Sequence, residues 1–120
     1  MTFQLQMEQL PGYLAARFVG SCASEKASQQ LELIAEHCKL TNNKKLLIDM
    51  TGLELIVTFM DRFMGGKRLG IFARQGIKVA LVGRPDQGDP RQFTLLVARN
   101  RGVTIEVFTN FQAAEEWLLK

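Results

Sequence analysis

The residue types that most often carry catalysis or bind metals are few and scattered in this sequence. His37 is the only histidine, and Cys22 and Cys38 are the only cysteines. His37 and Cys38 are neighbours, but no third group accompanies them at the spacing of a metal site or of a catalytic triad. Asp49 and Asp61 are placed near predicted strand ends, yet no metal ligand or sugar-binding aromatic residue goes with them. We therefore predict no catalytic residue, no metal site and no cofactor.

The glycine-containing segments that could bind phosphate are also incomplete. Gly65-Gly66-Lys67 lacks the glycine spacing of a P-loop and the hydroxyl after the lysine. Gly83-Arg84-Pro85 lacks the glycine spacing of a dinucleotide-binding turn. Ser21 and Ser24 have no nucleophile-elbow sequence around them. The sequence thus favours a binding protein over an enzyme.

Composition indicates one ordinary folded domain over residues 1–120. The chain is 47% hydrophobic and 22% charged, which is typical of globular proteins and unlike disordered ones. No apolar run approaches the ~20 residues of a membrane span, and the first ten residues do not have the pattern of a secretory signal. We expect a cytoplasmic protein whose two cysteines stay reduced as small buried side chains.

Positive charge is concentrated in the second half of the chain. Residues 1–60 contain 5 basic and 6 acidic side chains, whereas residues 61–120 contain 10 and 6. Arg84, Arg91, Arg99 and Arg101 could attract an anionic partner, but no aromatic residues alternate with them as in a single-strand nucleic-acid platform. The commoner interpretation is a solvated basic face, and we predict no nucleic-acid partner.

The elements that would position these residues begin with a hairpin. Phe3, Leu5 and Met7 alternate with polar residues, which is the period of a strand with one wet face. Pro11-Gly12 predicts a turn, and the segment 13–20 predicts the hairpin partner.

A helix, a buried strand and a second helix are predicted next. Ser24 can cap a helix whose apolar residues recur at helical spacing. These residues are Ala27, Leu31, Ile34, Ala35 and Cys38. The short apolar runs at 46–48 and 77–82 predict strands that are covered on both faces. Between them, residues 51–53 predict a turn, and a second helix is predicted from about residue 58 to residue 74.

The last part of the chain repeats the alternation of helix and strand. A third helix is predicted over 91–99, and Gly102 provides its left-handed cap. A strand follows at 104–108, and Asn110 can cap a final helix. The residues of that helix predicted to face inward are Ala113, Ala114, Trp117 and Leu118.

The resulting order, β-β-α-β-α-β-α-β-α, predicts an α/β fold with a mixed β-sheet and helices packed on it. Strands that alternate with helices become parallel neighbours through right-handed crossovers, whereas the leading hairpin supplies an antiparallel edge. The loop that contains Gly83 and Pro90 would lie where strands hand over to helices.

This order and two local segments resemble the STAS domain of anti-sigma-factor antagonists and sulphate transporters. Residues 47–53, LIDMTGL, look like the strand-and-turn segment of that family. Phe59-Met60-Asp61 resembles the segment just before the phosphorylated serine of the family. The runs at 79–83 and 98–103 are similar to a bacterial subgroup of small stand-alone proteins with a SpoIIAA-like fold. The resemblance implies a STAS-like fold over nearly the whole chain and a regulatory role.

The sequence departs from the family pattern at the phosphorylated position. Arg62 follows Asp61 where phosphorylated members have a serine, so no hydroxyl is present there. A serine at a helix N-terminus makes a workable switch because free backbone N–H groups stabilise its phosphate. Thr51 and Thr58 remain as substitutes, but we interpret Thr51 as a turn residue and Thr58 as a helix cap. We therefore expect the usual serine switch to be lost.

Apolar residues at the start of the second predicted helix cover more than one helical face. Phe59, Met60, Phe63 and Met64 are the patch that we select for recognition, because such side chains adapt to irregular partners. The alternative interpretation of this patch is ordinary core packing.

Three glycines, Gly65, Gly66 and Gly70, lie in the same predicted helix, where each is unfavourable relative to alanine. A kink, or the close approach of another backbone, would explain them.

Two functions are favoured by the sequence, ahead of an unrecognised enzyme or a purely structural subunit. The first is a protein-interaction module that binds another protein or a second copy of itself. Its docking surface would comprise the loop after Asp49, the start of the second helix with Asp61 and Arg62, and the loop that begins at Gly83 and Arg84. The second is a carrier or sensor of a lipid or other apolar ligand beneath the second helix, with Arg62 or Lys67 near an anionic head group.

Overall fold

The computed structural model of the chain describes residues 3–56, 59–87 and 93–120, without the side chains at 22–24, 55–56, 59–63, 87 and 93. Within these ranges the strands are β1 (Phe3–Leu10), β2 (Tyr13–Ala23), β3 (Lys45–Ile56), β4 (Lys78–Val82) and β5 (Thr104–Phe108). The helices are α1 (Ser24–Gln29), α2 (Leu31–Leu40), α3 (Phe59–Leu69), α4 (Ile71–Arg74), α5 (Phe93–Asn100) and α6 (Phe111–Leu119), with a short 3-10 turn at Pro85–Gln87.

The strands form one mixed sheet in the order β1-β2-β3-β4-β5. β1 and β2 pair antiparallel, and every other neighbouring pair is parallel. The hairpin turns at Pro11-Gly12, where Gly12 has a φ of 86°, a conformation that glycine adopts without strain. Both the mixed sheet and the antiparallel edge are confirmed predictions.

Two apolar cores lie on opposite faces of this sheet. Strands that advance in one direction through right-handed crossovers place their helices on one face, so α1 to α5 cover the larger core. The last helix, α6, returns to the other face and packs mainly on β3 and β4. Leu46, Leu47 and Ile48 are at most 1% exposed, because β3 lies between the two layers. The predicted double burial of this strand is confirmed.

The first two predicted helices are each interrupted. Gln30 separates α1 from α2, yet every residue predicted to face the core from this region is buried. Gly70 separates α3 from α4, which ends at Arg74 as predicted. Asn110 caps α6 by accepting a hydrogen bond of 3.0 Å from the backbone N–H of Ala113. The inward orientation of Ala113 was wrong, because this position is out of phase with the buried residues Ala114 and Leu118.

The glycines of α3 and its end allow close packing. A Cβ atom at Gly66 would lie 2.5 Å from the carbonyl oxygen of Thr94 and 2.7 Å from Cβ of Val97. Since both contacts belong to α5, the two helices cross at this glycine. At Gly65 the nearest such atom is the Thr94 methyl group at 4.0 Å. The predicted close approach of another backbone is therefore confirmed at Gly66.

Polar contacts fix α6 on the smaller core. Lys78 Nζ lies 4.4 Å from the centre of the Trp117 ring and donates a hydrogen bond of 2.6 Å to the Trp117 carbonyl oxygen. Tyr13 Oη donates a hydrogen bond of 2.6 Å to Glu115 Oε2 from a position that is 4% exposed. These contacts connect the last helix to β2 and β4 at the two sides of its apolar stripe.

Burial and the hydrogen bond to Glu115 raise the pKa of Tyr13 to about 12. Because the folded-state pKa lies above the ordinary value of 10.0, this group stabilises the fold fully below pH 10 and loses that contribution as the pH rises towards 12. Tyr13 is the only tyrosine, so the ultraviolet absorbance of tyrosinate reports on it alone.

We expect a titration midpoint near 12 for the folded protein and near the ordinary value in urea. The variant Glu115→Gln should lower the folded midpoint, because the carboxylate that opposes ionisation is gone. A parent midpoint equal to that of the unfolded chain would contradict the burial of this phenol.

Candidate interaction site

The candidate site lies at the edge of the sheet where the parallel strands β2, β3 and β4 end. In open α/β sheets, ligands and partners usually bind outside the carboxyl ends of the parallel strands. Thr51 lies in β3, and Gly83 and Arg84 directly follow β4. The N–H of Gly83 donates a hydrogen bond of 2.9 Å to the carbonyl oxygen of Phe108, which ties the start of this turn to the end of β5.

A bulge in β3 shapes this edge. Arg17 pairs with Asp49 and Val19 pairs with Gly52, so one residue of β2 stands opposite two residues of β3. Beyond the bulge, β3 continues to Ile56, which pairs with Ala23 at the end of β2. The prediction of a turn at 51–53 was therefore wrong, because pairing with β2 keeps this segment extended.

A buried carboxylate organises the bulge. Asp49 is 3% exposed. Its Oδ2 accepts a bond of 2.9 Å from Arg17 Nε, and its Oδ1 accepts bonds of 2.9 Å from the N–H and 2.7 Å from the hydroxyl of Thr51. A buried carboxylate is tolerated when its oxygens accept such bonds. The Thr51 hydroxyl is thus engaged in the structure of the strand.

Arg84 connects the turn after β4 to β3. Its Nη1 donates to the carbonyl oxygen of Thr51, and its Nη2 lies 3.5 Å from Glu54 Oε1. Its Nε donates a bond of 3.0 Å to Asp86 Oδ1, and this hydrogen bond lowers the pKa of the Asp86 carboxyl group. The guanidinium is about one-third exposed, whereas both carboxylates are mostly exposed. The structure therefore brings Thr51 and Arg84 together into one polar surface.

The predicted apolar patch falls mostly outside the described residues. The structure does not describe Thr58, and it does not describe the side chains of Phe59, Met60, Asp61, Arg62 and Phe63. The backbone of α3 begins at Phe59, which places Arg62 in the first helical turn. Met64, the described member of the patch, is 37% exposed.

Three contributors to this edge were not predicted from the sequence, namely Arg17, Glu54 and Asp86. Arg17 and Asp49 are 32 residues apart, and Arg84 contacts Thr51 from 33 residues away. One signal was usable: side chains of a strand alternate between its two faces, and Ala16 and Phe18 face the larger core, so Arg17 between them points away from it. Glu54 and Asp86 carried no signal of their own.

Paired charges hold this edge together. Its described charged groups, Arg17, Asp49, Glu54, Arg84 and Asp86, pair with one another across β2, β3 and the turn after β4. Among the residues that the structure describes, no three histidine, cysteine or carboxylate side chains gather at metal-binding distance. In the same part of the chain, no helix has the length and apolar character needed to cross a bilayer.

Comparison with known proteins identifies the fold. No protein-family model and no curated protein matches the chain. An anti-sigma factor antagonist from Mycobacterium paratuberculosis superposes with a TM-score of 0.66 at 15% identity, over 99% of this chain and 96% of that one. An uncharacterised protein with a SpoIIAA-like fold from Shewanella loihica gives 0.57 at 22% identity, over 97% and 93% of the two chains.

The phosphorylated form of SpoIIAA, a cell fate determinant of Bacillus, gives a TM-score of 0.54 at 12% identity, over 95% of this chain and 99% of that one. The three similarities each cover at least 95% of this chain, whose architecture is a five-stranded mixed sheet with helices packed on it. The chain therefore has the STAS-like, SpoIIAA-like fold that its element order and local segments resemble.

Proposed function

We propose that this chain is a non-enzymatic, regulatory protein-interaction module that docks its partner at the edge formed by the ends of β3 and β4 and the start of α3. The fold similarity to an anti-sigma factor antagonist supports the class, since that protein is described by its effect on another protein. The partner is a second protein or a second copy of this chain.

The observation that carries this proposal is the anchoring of the turn after β4 by Arg84. Its bonds to Thr51, Glu54 and Asp86 hold the turn against β3. A preorganised edge loses little conformational freedom on association, which favours recognition. Met64 supplies an exposed apolar side chain on α3, close in sequence to the first turn of that helix.

The module would act without the serine switch. Arg62 occupies the first turn of α3 and offers no hydroxyl group. Thr51 is an unsuitable substitute, because its hydroxyl donates to the buried Asp49 carboxylate. A phosphate group at Thr51 would be repelled by that carboxylate. Thr58 lies outside the described residues.

Affinity capture with immobilised protein tests this proposal. We expect Met64→Asp to reduce the amount of specifically retained partner about tenfold, because association would bury a charge where the parent has an apolar contact. The matched control is Leu40→Asp, because Leu40 is 75% exposed at the end of α2 and lies outside the docking edge.

Equal retention by the parent and by Met64→Asp would remove the edge from consideration. Sedimentation of the parent and of the same variants shows whether the retained partner is a second copy. Intact-mass spectrometry of the recovered parent protein should give the mass of the unphosphorylated chain. A stoichiometric phosphate on Thr51 or Thr58 would contradict the absence of a switch.

A carrier of a lipid or other apolar ligand is the second candidate, but the described residues favour it less. The cleft that they form beside α3 is lined by several charged side chains, including Lys67, rather than by an apolar wall. Apolar ligands bind in pockets lined mostly by hydrophobic residues. Native mass spectrometry showing a co-purified lipid would reverse this preference.

A further inference from the structure

A cleft of about 720 Å³ opens on the helical layer, away from the docking edge. Its walls are the junction of α1 with α2, the junction of α3 with α4, and the turn after α5. Because α4 and α5 lead into the starts of β4 and β5, these junctions lie towards the opposite edge of the sheet.

The charged lining of the cleft is strongly positive. Lys67, Arg68, Arg74 and Arg101 contribute four cations, and Glu32 contributes one carboxylate, which leaves a net charge of +3. Like charges that share a concave surface repel one another and concentrate a positive potential within it. The cleft is therefore suited to a ligand of opposite charge.

The arginines of this cleft differ from the other described arginines in having no carboxylate partner among the described residues. The structure describes six arginine side chains. Three of them, Arg17, Arg84 and Arg99, form ion pairs with carboxylates. The other three are Arg68, Arg74 and Arg101, and all three line the cleft. Within the described part of the chain, none of their side chains has a hydrogen bond or an ion pair.

The backbone at Gly70 allows the last of these arginines to reach the cleft. A Cβ atom at Gly70 would lie 3.2 Å from Cβ of Arg101, so the absence of a side chain admits the stem of this arginine beside the α3–α4 junction. The turn that follows places Gly102 at a φ of 90°, which glycine adopts without strain. Arg101 therefore lines the same cleft as Lys67 and Arg68, which precede Gly70 in α3.

We propose that this cleft binds a small anion that carries two or more clustered phosphate groups. The guanidinium group presents a planar fork that binds phosphate oxygens in pairs, and a lysine adds a compact charge. A volume of this size accommodates a small ligand. The site is separate from the docking edge and adds a ligand to the proposed interaction module.

Calorimetric titration with inorganic tripolyphosphate, at an ionic strength of about 0.15 M, tests the site. We expect the parent to bind and the double variant Arg74→Gln/Arg101→Gln to show a dissociation constant raised about tenfold or more. The control Lys39→Gln/Lys120→Gln removes the same formal charge from exposed positions outside the cleft and should change the constant less than about twofold.

No binding by the parent, or equal weakening in both double variants, would overturn the proposal. Co-sedimentation with phosphatidylcholine vesicles, with and without phosphatidylinositol bisphosphate, identifies the source of the phosphates. Retention only by the phosphoinositide vesicles assigns a lipid head group, and tripolyphosphate binding without retention assigns a free solute. The variant Met64→Asp should bind tripolyphosphate as the parent does, so failure of the docking edge and failure of the cleft are distinguishable.

Discussion

Replacing Gly66 by alanine is expected to lower the free energy of unfolding by about 2 kcal/mol, although alanine is the better helix former. The new Cβ would lie 2.5 Å from a backbone oxygen of α5, and backbone cannot move aside as the end of a side chain can. The two helices would have to separate, and they would lose packing contacts along their crossing. Urea unfolding followed by far-ultraviolet circular dichroism measures the change.

The adjacent glycine provides a control of opposite sign. A Cβ atom at Gly65 would lie 4.0 Å from the Thr94 methyl group, which is an ordinary van der Waals contact. This variant should leave the free energy of unfolding unchanged or raise it by up to about 1 kcal/mol, through helix propensity alone. Equal effects of the two substitutions would show that α3 and α5 do not cross closely at Gly66.

Replacing Asp49 by alanine is expected to lower the free energy of unfolding by about 3 kcal/mol. The carboxylate accepts three hydrogen bonds from Arg17 and Thr51 at the bulge. Arg17 is 46% exposed and can be hydrated after the substitution, whereas the half-buried N–H and hydroxyl of Thr51 lose their acceptor. The larger part of the loss therefore arises at Thr51.

Two comparisons test this explanation by denaturant unfolding. Asp86→Ala removes a mostly exposed carboxylate that also pairs with an arginine, and it should leave the free energy of unfolding nearly unchanged because solvent screens this pair. In a double-mutant cycle, Asp49→Ala and Thr51→Val should couple strongly. If the effects of Asp49→Ala and Thr51→Val simply add, the bulge does not depend on this hydrogen-bonded pair.

Much of the architecture could be predicted from local patterns. The run at 46–48 indicated a strand covered on both faces, and Asn110 indicated the start of the last helix. These features depend on neighbouring residues, whose periodicity and capping chemistry are visible in the sequence. The parallel order followed because the alternation of strands and helices restricts the connections.

The error at residues 51–53 has a non-local cause. Thr51-Gly52-Leu53 has the composition of a turn, but pairing with β2 extends the segment into a long strand with a bulge. A Cβ atom at Gly52 would lie 3.3 Å from the carbonyl oxygen of Phe18, so the glycine permits close approach of a neighbouring strand. A single sequence contains no signal for that partner, because the contact spans more than thirty residues.

The candidate sites were predictable only in part. The sequence drew attention to Thr51, Gly83 and Arg84, and the structure places them at one edge of the sheet. The basic cleft was hidden, because Lys67 and Arg101 are brought together by the packing of the turn after α5 against Gly70. The excess of basic residues in the second half of the chain was its one visible trace.

The position of the aromatic chromophores has a practical consequence. Trp117 and Tyr13 are the only residues of their kind; Trp117 lies on α6, Tyr13 lies on β2, and both pack in the smaller core. Tryptophan and tyrosine fluorescence therefore reports the packing of α6, because the larger core contains neither residue type. If the fluorescence changes at a lower denaturant concentration than the far-ultraviolet circular dichroism, the two layers unfold separately. If the two unfolding curves coincide, the layers on both faces of the sheet unfold as one cooperative unit.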